Sequence, residues 1–143
     1  MSRNLFWEKL EQLDFQAVKN QLLSKGYSIQ EIQKSISYYK LFLYIKFIHP
    51  ATRLVPPPVV DYIWHMHIMV DLSQYVKDCE YLFGHLLNHS SIVNSGAHHQ
   101  ETLETAFRKT KAYFKEFGVD FLEQEYTFSD IACVDLPLKA ALA

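Results

Sequence analysis

The sequence predicts an all-α protein, a single compact bundle of about five or six helices followed by an irregular C-terminal tail. Apolar residues recur at steps of three and four along most of the chain, and capping residues and glycines punctuate those stripes. The 143 residues, 49% of them hydrophobic and 15% aromatic, suit one domain spanning 1–143 with a substantial interior.

Taken in order, Asn4 to Leu13 carries Leu5, Phe6, Lys9, Leu10 and Leu13 at helical spacing. Asp14 is placed to cap a second helix, Phe15 to Ser24, whose Val18, Leu22 and Leu23 repeat the pattern and which Lys25-Gly26 stops. Ser28-Ile29-Gln30-Glu31 has the form of a capping box. From it Ile29, Ile32, Ile36, Tyr39, Leu43 and Phe47 form one stripe, the expected central helix, ending at His49-Pro50.

Ala51 to Pro58 reads as a stiff linker whose three consecutive prolines leave Val59 or Val60 to begin the next helix. Helix is expected from Asp61 through at least Met69, and again from Leu72 to Phe83, where Gly84 stops it. Asp71 either caps the second of these or lies inside one long helix, and the sequence leaves both open. His85 to His98 is polar and reads as loop. A last helix from His99 or Gln100 to Phe117 buries Leu103, Phe107, Thr110, Phe114 and Phe117 before Gly118 ends it. Beyond it, Tyr126-Thr127-Phe128 reads as a short extended piece, and Pro137 onward as a weakly ordered tail.

The charge balance is 14 basic against 16 acidic residues, with neither sign in a long block, so nucleic acid and an anionic membrane surface are not expected partners. The most apolar run, Leu41 to Ile48, contains Lys46 and is far shorter than the roughly 20 residues that cross a bilayer. Cys79 and Cys133 are too few for a disulfide framework. Reduced thiols, and with no apolar leader at the N-terminus a cytoplasmic location, are the expectation. The expected partner is another protein, and a homodimer is one way of burying so many aromatic rings.

The chemistry-bearing side chains concentrate between Asp61 and His89, where Trp64, His65, His67, Asp78, Cys79 and His89 fall within one helix pair and its loop. On an unbroken helix, Asp61, His65, Ile68, Leu72, Tyr75 and Cys79 share one stripe, and His67, Asp71, Gln74 and Asp78 another. His65 and His67 then point about 200° apart and cannot chelate one ion. If the helix breaks near Met69 to Asp71, the two halves fold together and His65 or His67 can meet Cys79 and His89. Some subset of His65, His67, Cys79 and His89 would suit zinc, with Asp61 or Asp78 orienting a ring nitrogen, although the spacing matches no standard zinc pattern. Residue by residue, a helical histidine near a tryptophan is more often a hydrogen-bonded core residue, and a lone cysteine on an apolar face a small buried hydrophobe. A Cys79 nucleophile paired with His65 or His89 lacks the strained turn such chemistry uses, and phosphate-binding, nucleophile-elbow and His-Glu-x-x-His motifs are absent.

Val55-Pro-Pro-Pro-Val-Val-Asp-Tyr-Ile-Trp-His-Met-His-Ile68, then Tyr75, Asp78-Cys79, Phe83-Gly84 and Asn88-His89, resembles the glycine-rich domain-containing protein family, including its small bacterial relatives. Phe107-Arg-Lys-Thr110, Tyr113 and Phe117-Gly118 resemble its closing segment, so the resemblance covers roughly residues 28 to 120. The glycine-rich region is missing, and Ser90-Ser91 stands where acidic residues are common in plant members. The resemblance implies a domain type and carries no established chemistry to transfer. Two functional expectations follow. The favoured one is a protein-interaction or regulatory helical module in which the polar cluster is structural and an exposed aromatic surface binds a partner. The other is a metal-binding protein, zinc or iron, and in one form a metal-dependent enzyme, using that cluster.

Overall fold

The structure, a computed structural model, describes residues 1–88 and 97–121. Six helices run α1 Arg3–Glu11, α2 Gln16–Ser24, α3 Ile29–Ile48, α4 Pro58–Val70, α5 Leu72–Phe83 and α6 Ala97–Glu116, with no strand among the described residues. The all-α expectation holds. None of the helices is long and apolar enough to cross a membrane. Residues 89–96, the Tyr126 to Phe128 segment, Cys133 and the tail from Pro137 lie outside the described residues.

The helix boundaries follow local chemistry. Ser2 Oγ accepts from the Leu5 amide to start α1. Asp14 accepts from the Gln16 amide at 2.9 Å, so its carboxylate does serve the start of α2, but Phe15 is the capping position and the helix begins one residue later than expected. At α3 both arms of the capping box form: the Glu31 amide donates to Ser28 Oγ, and the Ser28 amide donates to Glu31 Oε1. Gly26 and Gly118 take positive φ after α2 and α6, and the amides of Tyr27 and Val119 reach back to Leu22 and Phe114 to close the last turns. Pro58 is the first residue of α4, one position earlier than expected, because a first-turn residue needs no amide proton and proline's φ is already helical.

The decisive boundary is Asp71. Its backbone is extended, with φ −158° and ψ 95°, which ends α4 and begins α5, and its carboxylate accepts from the Gln74 amide at 3.1 Å. The two helices are therefore separate, and the turn between them re-phases everything after Val70.

α3 is the central element, packed against α1, α2, α4 and α6. Ile32, Ile36, Tyr39 and Leu43 of the expected stripe are buried, and Ser35, Phe42 and Ile45 are buried beside them. Ile29, placed in that stripe from the sequence, is 61% exposed, since the first turn overhangs the bundle. α1 contributes Phe6 and Leu10, with Phe6 stacked on Phe47 at 4.1 Å. α6 is tied to the proline linker: the Val55 amide donates to the buried Thr110 hydroxyl at 2.9 Å, and Val55 packs with Leu103, Ala106 and Phe107.

Removing the cap at the break should loosen the α4–α5 turn. Asp71→Ala is expected to lower stability by about 1 kcal/mol in chemical denaturation, with little change in helix content before the transition.

Candidate functional site

The break at Asp71 brings the inward face of α4 against that of α5. On α4 this face is Val60, Ile63, Trp64 and His67, and on α5 it is Tyr75, Asp78, Cys79 and Leu82, all buried. Each set is spaced i, i+3, i+4, i+7, so each occupies one side of its own helix.

A chain of hydrogen bonds crosses the interior at this contact. Tyr39 Oη of α3 lies 2.7 Å from His67 Nδ1, and His67 Nε2 lies 2.7 Å from Asp78 Oδ2. Gln74 Nε2 donates to the other Asp78 oxygen at 2.8 Å. Tyr39 is 0% exposed, His67 6% and Asp78 5%, so these groups exchange hardly any hydrogen bonds with bulk water. One proton arrangement uses every group once: the phenol donates to Nδ1, the ring donates from Nε2 to the carboxylate, and the imidazole is neutral. A protonated ring would donate to Tyr39 instead and deprive the phenol proton of this acceptor. Phe15, Tyr39 and Tyr75 enclose the ring edge to face, with centroids at 5.2, 5.6 and 4.9 Å.

A second chain runs alongside. Trp64 Nε1 donates to Tyr75 Oη at 2.8 Å, and Tyr75 Oη donates to the Leu87 carbonyl at 2.6 Å, fastening the segment after α5 to the helix pair. Burial pushes the Tyr39 and Tyr75 hydroxyls and the Cys79 thiol above their ordinary values, and at Cys79 hydrogen-bonding contact with the Leu87 backbone and with Tyr75 opposes the shift without outweighing it. Cys79 is therefore a thiol at neutral pH, the form a buried structural cysteine takes.

Of the residues singled out in the sequence, His67 and Asp78 are brought into direct contact, and Asp78 does orient a histidine nitrogen. Cys79 sits one turn along α5, against Tyr75. Asp61 is buried near the start of α4, and His65 is half-buried and does not share the inward face with His67. His89 lies outside the described residues. Among the described residues no three histidine, cysteine or carboxylate side chains gather as a metal-holding group, and both His67 nitrogens are already engaged. Sequence reasoning missed Tyr39 as the partner of His67. The signal was a phenol inside the stripe Ile32, Ile36, Tyr39, Leu43, where a hydroxyl must find an acceptor or be left buried and unpaired.

The bundle also has an aromatic groove on its outer side. Trp7 and Glu8 of α1, Leu41 and Tyr44 of α3, and Phe117 after α6 line it together with Asn4, enclosing about 440 Å3. Trp7 is 39% exposed and Phe117 44% exposed. Phe117 was expected in the core from the sequence, but it is the residue after the last turn of α6, where the helix has run past α3's buried face. Asn4, Trp7, Glu8 and Glu11 share one side of α1 at i, i+3, i+4, i+7, a polar face interrupted by one tryptophan, and that was the legible signal for this surface. Beyond Trp7 a smaller hollow of about 220 Å3 lies against Lys19, Ile36 and Lys40.

No family model, no curated protein and no solved structure matches the chain.

Two measurements check the interior. His67→Leu orphans the Tyr39 phenol and the Asp78 carboxylate and is expected to cost about 3 kcal/mol or more, whereas Tyr39→Phe removes one donor and costs about 1–2 kcal/mol. Equal losses in denaturant titrations would exclude this ranking. The pH dependence has a definite sign. In the unfolded chain a cysteine ionises at about 8.5 and tyrosines at about 10, so above those values the unfolded state has released protons that folded Cys79, Tyr39 and Tyr75 still hold, and stability falls as pH rises. Lys46, whose value burial lowers, acts oppositely: up to about pH 10.4 the unfolded lysine keeps a proton that the folded one releases first. Above about pH 10 the three acids prevail. Tyr75→Phe should flatten that alkaline decline by about 1.4 kcal/mol per pH unit, one proton's worth, in thermal unfolding followed from pH 8 to 11.

Proposed function

We propose that this protein is a protein-interaction module that docks a partner on the Trp7 groove, its buried polar chains serving to fix the helices that present that surface. The observation that carries the reading is Trp7 itself. It stands between two hollows with more than a third of its surface in water, in a bundle whose other tryptophan is buried and hydrogen-bonded. Tryptophan and tyrosine are the residues on which interface energy most often concentrates, and a ring already held in place loses little freedom on binding. The resemblance to glycine-rich domain-containing proteins, carried by Val55 to His89 and by the Phe107 to Gly118 segment, is compatible with this reading.

The second reading, zinc or iron on a subset of His65, His67, Cys79 and His89, is supported by the Asp71 turn, which does fold α4 and α5 together. A ligand set that includes His67 requires its ring to give up Tyr39 or Asp78 to the ion. Stoichiometric metal in protein purified without a histidine tag, lost in Cys79→Ala, would favour it over the first.

The interaction reading is tested by a photoreactive amino acid at position 7 and, as a control, at Met69, which is 78% exposed at the far end of α4. A partner crosslinked from position 7 and not from position 69 is expected, and Trp7→Ala and Phe117→Ala should each weaken its purified complex by roughly tenfold or more while leaving the melting temperature nearly unchanged. Undiminished affinity in Trp7→Ala would remove this reading.

A further inference from the structure

We propose that what the groove grips is the methylated ammonium of a lysine side chain on the partner protein. This rests on the interaction reading above and names the chemistry of its anchor.

The rings supply the first argument. Trp7 meets Tyr44 at 90° with centroids 5.4 Å apart, and Tyr44 meets Phe117 at 84° and 5.8 Å. All three border the same hollow and pack edge to face on one another there. Ring faces carry negative potential and attract a cation within about 6 Å.

Charge supplies the second. Glu8 is the one charged residue lining the hollow, and among the described residues its carboxylate makes no ion pair or hydrogen bond. Two neighbouring cations are committed elsewhere. Lys9 donates to the Tyr81 carbonyl at 3.2 Å and lies over the Tyr81 ring, and Lys40 pairs with Glu11 at 3.4 Å.

The third is a contrast within the molecule. Lys9, Lys25, Lys34, Lys40 and Lys46 each stand over a ring of this chain, covering Tyr81, Tyr62, Tyr38, Phe15 and the Phe42–Trp64 pair. Trp7, Tyr44 and Phe117 have no such lysine among the described residues. Among the described residues the groove thus offers aromatic rings and a carboxylate with no cation over them.

The shape of the site selects among cations. A primary ammonium is strongly hydrated and has three protons to place, against which the lining offers the Glu8 carboxylate and the Asn4 amide oxygen. A guanidinium is flat and stacks on one ring at a time. A trimethylammonium is round, has no protons to place, spreads its charge over its methyl groups and can touch steeply inclined rings together, while the lysine stem lies along Leu41.

The test follows the indole N–H resonances of 15N-labelled protein, with Trp64, buried and bonded to Tyr75, as the internal reference. Tetramethylammonium chloride is expected to shift the Trp7 signal saturably and leave Trp64 in place, while equal concentrations of sodium chloride or the neutral tert-butanol do not. Glu8→Gln should weaken the binding roughly two- to fivefold. In Trp7→Ala, tetramethylammonium should no longer shift the backbone amides of Tyr44 and Phe117 saturably, with an unchanged Trp64 signal showing the fold intact. A trimethyllysine peptide should bind more tightly than the same peptide with free lysine, and more tightly than choline. Equal binding of tert-butanol, or no saturation with tetramethylammonium, overturns the proposal. If that happens while Trp7→Ala still weakens the crosslinked complex, the groove remains a protein-docking site and the cation alone is wrong. Choline binding more tightly than the peptide overturns the partner side chain as the source.

Discussion

The fold depends on one chain of hydrogen bonds, Tyr39 to His67 to Asp78 to Gln74, which joins α3, α4 and α5 through the interior. Its members would be costly to bury singly. Together they satisfy one another, and the cost of breaking any link in a low-dielectric interior is what gives the chain its structural effect. Such a network adds little net stability over an apolar core of the same shape, but it penalises alternative registers, in which a phenol, an imidazole or a carboxylate would be stranded. Apolar contacts alone would let α5 slide or rotate against α4 at small cost. The imidazole between two fixed partners does not.

That chain exists because the helix breaks at Asp71, and the break illustrates what a sequence can and cannot show. The stripe from Ile32 to Leu43, the Ser28–Glu31 box and the glycine stops at Gly26, Gly84 and Gly118 are local devices, legible because cause and effect lie within a few residues. Asp71 is also local chemistry, but a carboxylate with a free amide three residues on can sit at a cap or on a helix surface. The choice is made by whether α4 and α5 bury more by folding together, which depends on α3 and on Tyr39. The sequence reading therefore held two arrangements. The structure has the broken one, with His67 rather than His65 turned inward.

The groove was less legible for the same reason. Trp7, Tyr44 and Phe117 come from three distant parts of the chain; Trp7 and Tyr44 fall outside the apolar stripes of α1 and α3, and Phe117 continues the stripe of α6, so no local pattern joins them into one surface. Phe117 is the clearest case. It continues the α6 pattern of Leu103, Phe107 and Phe114, and its exposure follows from where the helix stops and the Gly118 turn begins, not from its neighbours in sequence.

The interior and the groove are mechanically linked through α3. Tyr39, Phe42 and Leu43 face the buried side, while Leu41 and Tyr44 border the groove, so whatever fixes the rotation of α3 also fixes the wall of the groove. The other two walls are held from behind. Phe6, next to Trp7, stacks on Phe47 at an interplanar angle of 4°, and Phe114, one turn before Phe117, lies parallel to Phe42 and edge-on to Phe121. Each exposed ring is therefore adjacent to a buried one that is locked, and the rings reach the surface already oriented. A loose hydrophobic patch would lose that freedom on binding, which erodes affinity by about 0.5–1.5 kcal/mol for each side chain immobilised. Here most of that ordering is already part of the fold, held by Phe6 and Phe114 behind the exposed rings and, through α3, by the buried Tyr39–His67–Asp78 chain.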